Sequence, residues 1–377
     1  MNMRFLLKGF EVELFTGSFT GKNVGVAASV TEDLSEFVIE PDQRNLEFIT
    51  SPERQYSVLR EALLSPRRKL RKWLAQRNLT ILPGSTLSLG NSNYFERSDP
   101  LNPYHELIEN TYGTDVVTSS VHINLGIEDS SILFAALRLI RCESALFLAL
   151  SASSPFLDGR STGVHSQRWI QFPKTPKQVP LFVNHDHYVS WFKTQLDKGI
   201  MWNERHFWSS VRPNGDRRPH DLNRLEIRIC DLITDCDLLL AVTALIELRI
   251  LTLIHGVEQL DPLEVSNLNV NELALLSDLN DIAAAKTSID STLNHWVDGK
   301  SIKCRDWIEE LLESVSPLAM EMDMIETLKP IQHVLNNGNQ AIQWLDRYSH
   351  GESIEALIQQ SISSMEQEES TTHQDIS

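Results

Sequence analysis

Segments with the alternating pattern of β-strands lie within the first 231 residues of this 377-residue chain. From Thr234 to about Ser364, nearly every segment has a helical period instead. Strands and helices that are segregated in this way predict an α+β fold with a mostly antiparallel sheet, rather than βαβ units around a parallel one. No GxGxxG motif follows a strand and no GxxxxGK[ST] motif occurs, so Rossmann and P-loop nucleotide sites are disfavoured.

The pattern predicts one domain over residues 1–365, strand-rich to 231 and helical from 232, followed by a disordered acidic tail over 366–377. The strands predicted before residue 100 are Phe10–Phe15, Val24–Val30, Phe37–Glu40, Leu46–Thr50 and Leu79–Leu82. A helix is predicted from Pro52 to about Leu64, and Ser65-Pro66 is expected to begin another helix.

Charge and hydropathy limit the kinds of partner. The formal net charge of −17 argues against nucleic acid or an anionic membrane as the main partner. The most apolar stretch, Leu238–Ile254, contains Glu247 and Arg249, which indicates a buried helix rather than a membrane span. The first residues show no signal-peptide pattern, so we expect a cytoplasmic protein. The cysteines form no CxxC pair and are expected to be buried thiols: Cys142, Cys230, Cys236 and Cys304.

One short stretch, SPRRKLRKWLAQR (65–77), is strongly basic. It could bind nucleic acid or phosphate. The helical spacing of Leu70, Trp73 and Leu74 favours a different interpretation, in which these three side chains face the core and the basic side chains lie on the solvated face.

Three strands share one design, with apolar side chains on one face and polar side chains on the other. The strands are contained in KGFEVELFTG, SVHINLG and NRLEIRICD. Their polar faces carry Glu11 and Glu13 in the first, His122 and Asn124 in the second, and Arg224, Glu226 and Arg228 in the third. A fourth segment, RNLEFIT, places Glu47 on a face opposite Leu46 and Phe48, and Glu40 lies just upstream.

If these strands are neighbours in one sheet, several carboxylates and a histidine share a face and repel one another unless cations neutralise them. Oxygen-rich ligands with few nitrogens favour Mg²⁺ or Mn²⁺ over zinc. Arginines on the same face could hold carboxylate or phosphate groups, which together with Mg²⁺ suits ATP-driven chemistry. Taken singly, each residue also fits a plainer interpretation: a wet strand face, a hydrogen-bonded core histidine, or a ladder of ion pairs.

The strings GFEVEL, NLEFIT, SSVHINLG, SASSPFLDGRSTGVHSQR and RLEIRICD occur here in the order seen in one family. The chain resembles the glutamate–cysteine ligase type 2 family of carboxylate–amine ligases, and is most similar to its cyanobacterial branch. The resemblance implies a fold like that of glutamine synthetase, with a curved, mostly antiparallel sheet forming a funnel and helices packed outside it. It also implies that residues 1–365 form a catalytic ligase domain.

The family reaction implied by this resemblance is the ATP-dependent joining of glutamate to cysteine. ATP phosphorylates the γ-carboxylate of glutamate, and the amine of cysteine displaces phosphate to give γ-glutamylcysteine, the first intermediate of glutathione synthesis. Three alternatives stay open: a ligase of the same fold that uses another amine, a non-catalytic protein that binds Mg-ATP and an amino acid, and an interaction protein built on the helical half.

The resemblance also implies residue roles. The metal ligands expected for Mg²⁺, with Mn²⁺ as the alternative, are Glu11, Glu13, Glu47, His122, Glu226 and Glu40. Arg228 is expected to stabilise the transferring phosphoryl group, and Arg168 to contact the glutamate carboxylate or a phosphate. The remaining expected contacts to substrate or ATP are Arg212, Asn124 and Arg160.

Overall fold

The structure is a computed structural model that describes residues 4–371. Its strands are β1 (Lys8–Ser18), β2 (Phe37–Ile39), β3 (Asn45–Ile49), β4 (Leu79–Leu82), β5 (Val121–Gly126), β6 (Phe156–Leu157), β7 (Arg160–Ser161), β8 (Val211–Asn214), β9 (Arg224–Ile227), β10 (Thr292–Asn294) and β11 (Ser301–Lys303). Its α-helices are α1 (Ala27–Asp33), α2 (Tyr56–Ala75), α3 (Pro103–Tyr112), α4 (Ser130–Ser151), α5 (Gln167–Gln171), α6 (His185–Asp197), α7 (Cys236–Ile254), α8 (Pro262–Val265), α9 (Val270–Thr287), α10 (Cys304–Glu321), α11 (Ile325–Asn337), α12 (Gln340–Ser349) and α13 (Ile354–Ser370).

A seven-stranded sheet organises the first part of the chain. Its order is β2-β3-β1-β5-β9-β8, and β4 pairs with the end of β1 beyond β5. Every pairing in this sheet is antiparallel. The α+β prediction is therefore confirmed: the sheet is complete by residue 227, and the helical half adds only the β10–β11 hairpin within the described residues.

One face of the sheet packs against the hydrophobic core. Phe10, Val12 and Leu14 alternate along β1 and are almost fully buried, and their counterparts on the neighbouring strands are buried with them. Helix α4 packs on β8 and β9, and α2 packs on β4. Because the apolar residues have a period of two, the intervening residues must project to the opposite face. As expected, all four cysteines are buried free thiols.

Charged side chains inside the helical half are paired. Glu247 of α7 lies 3.1 Å from the Nζ atom of Lys8 on β1, and Arg249 lies 2.6 Å from Glu143 of α4. These ion pairs offset the cost of placing charges in a buried helix. The prediction that Leu238–Ile254 is a buried helix is confirmed. Among the helices described, none combines the length and apolar content that crossing a membrane requires.

Three local predictions in the first 75 residues are wrong. The helix predicted from Pro52 begins at Tyr56 instead. Residues Val24–Val30 form a loop and the start of α1, in which Ala27 and Val30, three residues apart, both point into the core. Helix α2 is continuous through Pro66 instead of restarting there. A proline inside a helix costs roughly 3 kcal/mol, but burial of Leu63, Leu64 and Leu70 around it contributes about 1.5–3 kcal/mol for each leucine.

The acidic end of the described chain is not a disordered tail. Residues 366–370 belong to α13, and residues 372–377 lie outside the described part of the chain. The reason is charge pairing: Glu369 accepts hydrogen bonds from Nε of Arg67 at 3.0 Å and Nε of Arg71 at 2.5 Å. The basic stretch on α2 therefore faces carboxylates of the same chain, while its Leu70, Trp73 and Leu74 are buried as expected.

This pairing predicts a difference in stability between two glutamates of α13. Glu369→Gln leaves two largely buried guanidiniums short of a counter-charge and should lower the free energy of unfolding by roughly 3 kcal/mol. Glu366→Gln removes only a half-exposed contact to Arg71 and should cost less than about 1 kcal/mol. Urea unfolding of both variants measures the difference, and equal losses would contradict the structure.

Candidate active site

The cross-strand register brings the predicted acidic residues together around β1. Glu11 lies directly opposite His122 of β5, and Glu13 lies directly opposite Glu47 of β3. All four side chains project from the sheet face that the core does not cover. The adjacency that the sequence pattern assumed is therefore present in the structure.

The register continues across the next two strands. Glu226 of β9 lies opposite Asn124 of β5 on one side and opposite Arg212 of β8 on the other. Arg228 follows β9 and extends the same face, whereas Arg224 lies at its rim beside Asp216. The polar face is thus continuous from Glu47 to Arg212.

Five of these residues form what we call the acidic cluster: Glu11, Glu13, Glu40, Glu47 and His122. Glu11, Glu47 and His122 can each offer a ligand atom within 4.8 Å of the others, and so can Glu13, Glu40 and Glu47. Glu47 belongs to both groups. A set of carboxylate oxygens with one imidazole nitrogen suits Mg²⁺ or Mn²⁺, so the residues present fit the predicted ion.

The carboxylates of the acidic cluster oppose one another's ionisation. Burial and the charge of Glu13 raise the pKa of Glu40 to about 8. Burial and the charges of Glu40, Glu11 and Glu13 raise the pKa of Glu47 well above its usual range. A bound divalent cation would remove this repulsion, which is the electrostatic reason to expect one here.

Glu11 is in a different electrostatic position. Burial and the charge of Glu226 oppose its ionisation, but the hydrogen bond with His122 and the charges of His122 and Arg228 outweigh them and lower its pKa. The Nδ1 atom of His122 lies 3.0 Å from Oε2 of Glu11. Nδ2 of Asn124 donates to Oε1 of Glu11 at 3.2 Å. The Oδ1 atom of Asn124 is buried without a hydrogen-bond partner among residues 4–371, so a further hard oxygen adjoins this carboxylate.

Glu226 holds two guanidinium groups. It accepts hydrogen bonds from Nε of Arg212 at 2.6 Å, from Nη1 of Arg228 at 2.6 Å and from Nδ2 of Asn214 at 2.7 Å. Burial alone would raise its pKa, but the charges of Arg212, Arg228 and His122 hold the pKa well below its usual range. Glu226 therefore stays ionised and fixes both arginines. It belongs to neither ligand group, so its role as a metal ligand stays a prediction.

Arg168 lies beneath Arg228 and supports its backbone. The Nη1 and Nη2 atoms donate to the carbonyl oxygens of Ile229 at 3.1 Å and Arg228 at 3.0 Å. Arg168 is almost fully buried. In this structure Arg168 is a positioning residue, and the expected contact to a substrate stays a prediction.

The loop that carries Arg168 is fastened to the sheet by Asp231. Its carboxylate accepts hydrogen bonds from the backbone N–H of Ser153 at 3.0 Å and from the hydroxyls of Ser154 at 2.7 Å and Ser166 at 2.8 Å. Three serines of the string SASSPFLDGRSTGVHSQR thus donate to one buried acceptor. Arg160 of the same string is exposed on β7, and its contact to a substrate stays a prediction.

Three residues that contribute to the site were not predicted. The Ser120 hydroxyl donates to Oε2 of Glu13 at 2.7 Å and lies 3.1 Å from Nε2 of His122. Asn214 donates to Glu226, and Asp231 organises the loop around Arg168. Ser120 and Asn214 stand two residues from His122 and Arg212, so strand periodicity could have placed them on the same face. Only the structure shows that the Asp231 carboxylate is the common acceptor.

Comparison with known proteins identifies the family of this chain. The family model described as "Glutamate-cysteine ligase family 2(GCS2)" matches residues 7–360, so the chain belongs to that family and the resemblance is confirmed. Its relatives include several proteins named "Putative glutamate--cysteine ligase 2". That from Sorangium cellulosum is 28% identical over 63% of this chain, that from Gloeobacter violaceus 26% over 63%, and that from Chloroflexus aurantiacus 24% over 85%. The matched regions span 61%, 62% and 80% of those relatives.

Two solved structures share the fold. A glutamate–cysteine ligase from Francisella tularensis in complex with AMP superposes with a TM-score of 0.77 at 14% identity, covering 98% of this chain and 90% of that one. A bifunctional glutathione synthetase from Pasteurella multocida also gives 0.77 at 14% identity, over 97% of this chain and 52% of that one. The expected fold, an antiparallel sheet with helices packed against it, is confirmed by this likeness.

The acidic cluster predicts that Mg²⁺ stabilises the protein. Mg²⁺ at about a hundred times its Kd should add about 2.7 kcal/mol to the free energy of unfolding. Glu47→Gln removes a carboxylate shared by both groups. It should abolish the Mg²⁺-dependent rise in Tm while raising the Tm measured in EDTA at neutral pH, because the variant no longer places an ionisable group where burial and neighbouring carboxylates oppose its ionisation.

The matched control is Glu128→Gln, which changes an exposed glutamate just beyond β5 and should respond to Mg²⁺ like the unaltered protein. Differential scanning calorimetry with and without Mg²⁺ measures all three proteins. An equal Mg²⁺ response in Glu47→Gln and Glu128→Gln would show that the ion binds elsewhere.

Proposed function

We propose that this protein is an ATP-dependent glutamate–cysteine ligase that forms γ-glutamylcysteine, ADP and phosphate. The observation that carries the proposal is the pairing of two kinds of site on one sheet face. The acidic cluster suits a divalent cation, and beside it Glu226 fixes Arg212 and Arg228 within reach of anionic groups. Membership of the glutamate–cysteine ligase family 2 supports the choice of substrates.

The reaction needs positive charge more than it needs a nucleophilic side chain. An oxygen of the glutamate γ-carboxylate attacks the γ-phosphorus of ATP, the bond from phosphorus to the bridging oxygen breaks, and ADP leaves. The amine of cysteine then attacks the carbonyl carbon of the γ-glutamyl phosphate, loses a proton, and phosphate departs. Stabilisation in such phosphoryl transfers comes mainly from positioned cations.

Different residues of this chain would bind the cation, contact the substrates and position the side chains that do so. Glu11, Glu13, Glu40, Glu47 and His122 would hold Mg²⁺. When bound, Mg²⁺ would offset the negative charge of the phosphates. Arg228 would donate hydrogen bonds to the transferring phosphoryl group, and Arg212 would orient a substrate carboxylate. Arg168 and Asp231 keep Arg228 in place from below, through the carbonyl oxygen of Arg228 and the serines of the loop.

The direct test is an assay of products with several amines. Purified protein is incubated with ATP, Mg²⁺, glutamate and each amine in turn, and ADP and the γ-glutamyl product are measured by mass spectrometry. We expect the highest kcat/KM with cysteine. Turnover with another amine only would identify a ligase of the same fold with a different specificity. Binding of Mg-ATP and glutamate without release of phosphate would indicate a non-catalytic protein.

Arg228→Lys provides a sharper prediction about mechanism. An ammonium group cannot reproduce the planar fork that contacts Glu226 and reaches the phosphoryl group, so kcat should fall by about 100-fold or more. The Mg²⁺-dependent rise in Tm should persist, because the acidic cluster is intact. Arg224→Lys, four residues earlier and at the rim of the polar face, is the matched control and should keep its kcat. Equal rates for the two variants would remove Arg228 from the reaction.

A further inference from the structure

Helix α9 presents an apolar stripe to solvent. Leu275, Leu279 and Ile282 are exposed by 61%, 52% and 38% of their surface. The opposite face of α9 is occupied: Leu273, Ala284 and other residues on it are buried against the rest of the helical half. Large apolar side chains aligned on a single exposed helix face usually contact another molecule.

The stripe has the spacing of a coiled-coil seam. With its two flanking residues it reads Glu272, Leu275, Leu279, Ile282 and Lys286, at intervals of three, four, three and four residues. This alternation keeps all five side chains on one face, where they can interlock with a second helix. The end residues are exposed and of opposite charge, and neither forms an ion pair within residues 4–371.

The stripe is complementary to itself when two copies run antiparallel. Glu272 and Lys286 stand seven residues on either side of Leu279, or about 10 Å along the axis in each direction. A two-fold axis through Leu279 therefore sets Glu272 of each copy opposite Lys286 of the other. The same axis brings Leu275 of each copy to within one residue of the level of Ile282 of the other, since Leu275 lies four residues before Leu279 and Ile282 three residues after it. The apolar centre and the charged ends match at once, as a two-fold symmetric interface requires.

We propose that α9 is a homodimer interface, in which two copies of this chain pack their α9 helices antiparallel about Leu279. We take a second copy as the partner because α9 is complementary to itself: in the antiparallel arrangement its own Lys286 lies opposite Glu272, and its own apolar stripe lies opposite the same stripe. Three apolar side chains bury much less area than the roughly 800 Å² per partner of a standard interface. The dimer should therefore be weak, and its population should depend on protein concentration.

The interface would lie close to the support of the active site. The carbonyl oxygen of Ala285 on α9 accepts hydrogen bonds from the backbone N–H groups of His165 at 3.0 Å and Ser166 at 2.9 Å. Ser166 in turn donates to Asp231. Helix α9 therefore contacts the loop that carries Arg168, although the dimer proposal does not depend on the proposed reaction.

Sedimentation velocity over a hundredfold range of concentration tests the proposal on the full chain. The unaltered protein should pass from monomer to dimer. Leu279→Glu places two carboxylates face to face on the axis and should sediment as a monomer throughout. Met320→Glu, which alters an exposed apolar residue of α10, should dimerise like the unaltered protein. A monomer at every concentration, or equal behaviour of the two variants, would overturn the interface.

A charge exchange tests the antiparallel arrangement. Glu272→Lys and Lys286→Glu should each raise the dimer Kd at least about threefold, because each sets like charges opposite one another twice. The double variant restores both pairs and should return the Kd to near that of the unaltered protein. Glu272 also accepts a hydrogen bond from the backbone N–H of Asn269, which caps the helix. Glu272→Lys and the double variant both lack this cap. A return of the dimer Kd in the double variant therefore cannot come from a change in helix stability. Failure to recover would overturn the arrangement.

Discussion

The register of β1 is the constraint on which the site depends. β1 is paired along both edges, and this fixes Glu11 against His122 and Glu13 against Glu47. A slip of one residue would turn the two glutamates into the core and Phe10 and its neighbours out to solvent. The apolar face therefore stabilises the register, and the register in turn assembles the polar face. The buried pair of Lys8 and Glu247 anchors the start of the same strand to α7.

The two halves of the polar face balance charge in different ways. The charge of Glu226 is balanced within the chain by Arg212 and Arg228, so this part of the site needs no ligand to neutralise it. Glu40 and Glu47 have no comparable arginine contact among the described residues, and their raised pKa values reflect that. Carboxylates that are clustered at a cost in stability are typical of a site that binds an external cation. We regard this contrast as the physical basis of the proposed reaction.

The sequence predicted every strand of the main sheet except β8. The signal is local, because alternation along strands such as β1, β5 and β9 places side chains without reference to partners. The sequence predicted the members of the acidic cluster, including Glu40, but not their grouping, which depends on strand order. It failed where a distant contact decides the outcome. Glu369 pairs with two arginines some 300 residues away, and this contact stabilises the last turn of α13. Asp231 accepts hydrogen bonds from serines of a loop whose sequence is typical of an exposed surface loop.

Transfer of oxygen from glutamate to phosphate is the most direct measurement of the central claim. Glutamate labelled with ¹⁸O in its γ-carboxylate is turned over with ATP, Mg²⁺ and cysteine, and the released phosphate is analysed by mass spectrometry. If the polar face catalyses ligation through γ-glutamyl phosphate, each phosphate carries one ¹⁸O atom from glutamate. Phosphate that is released without ¹⁸O would contradict the mechanism, since ATP would then be hydrolysed without activating the carboxylate.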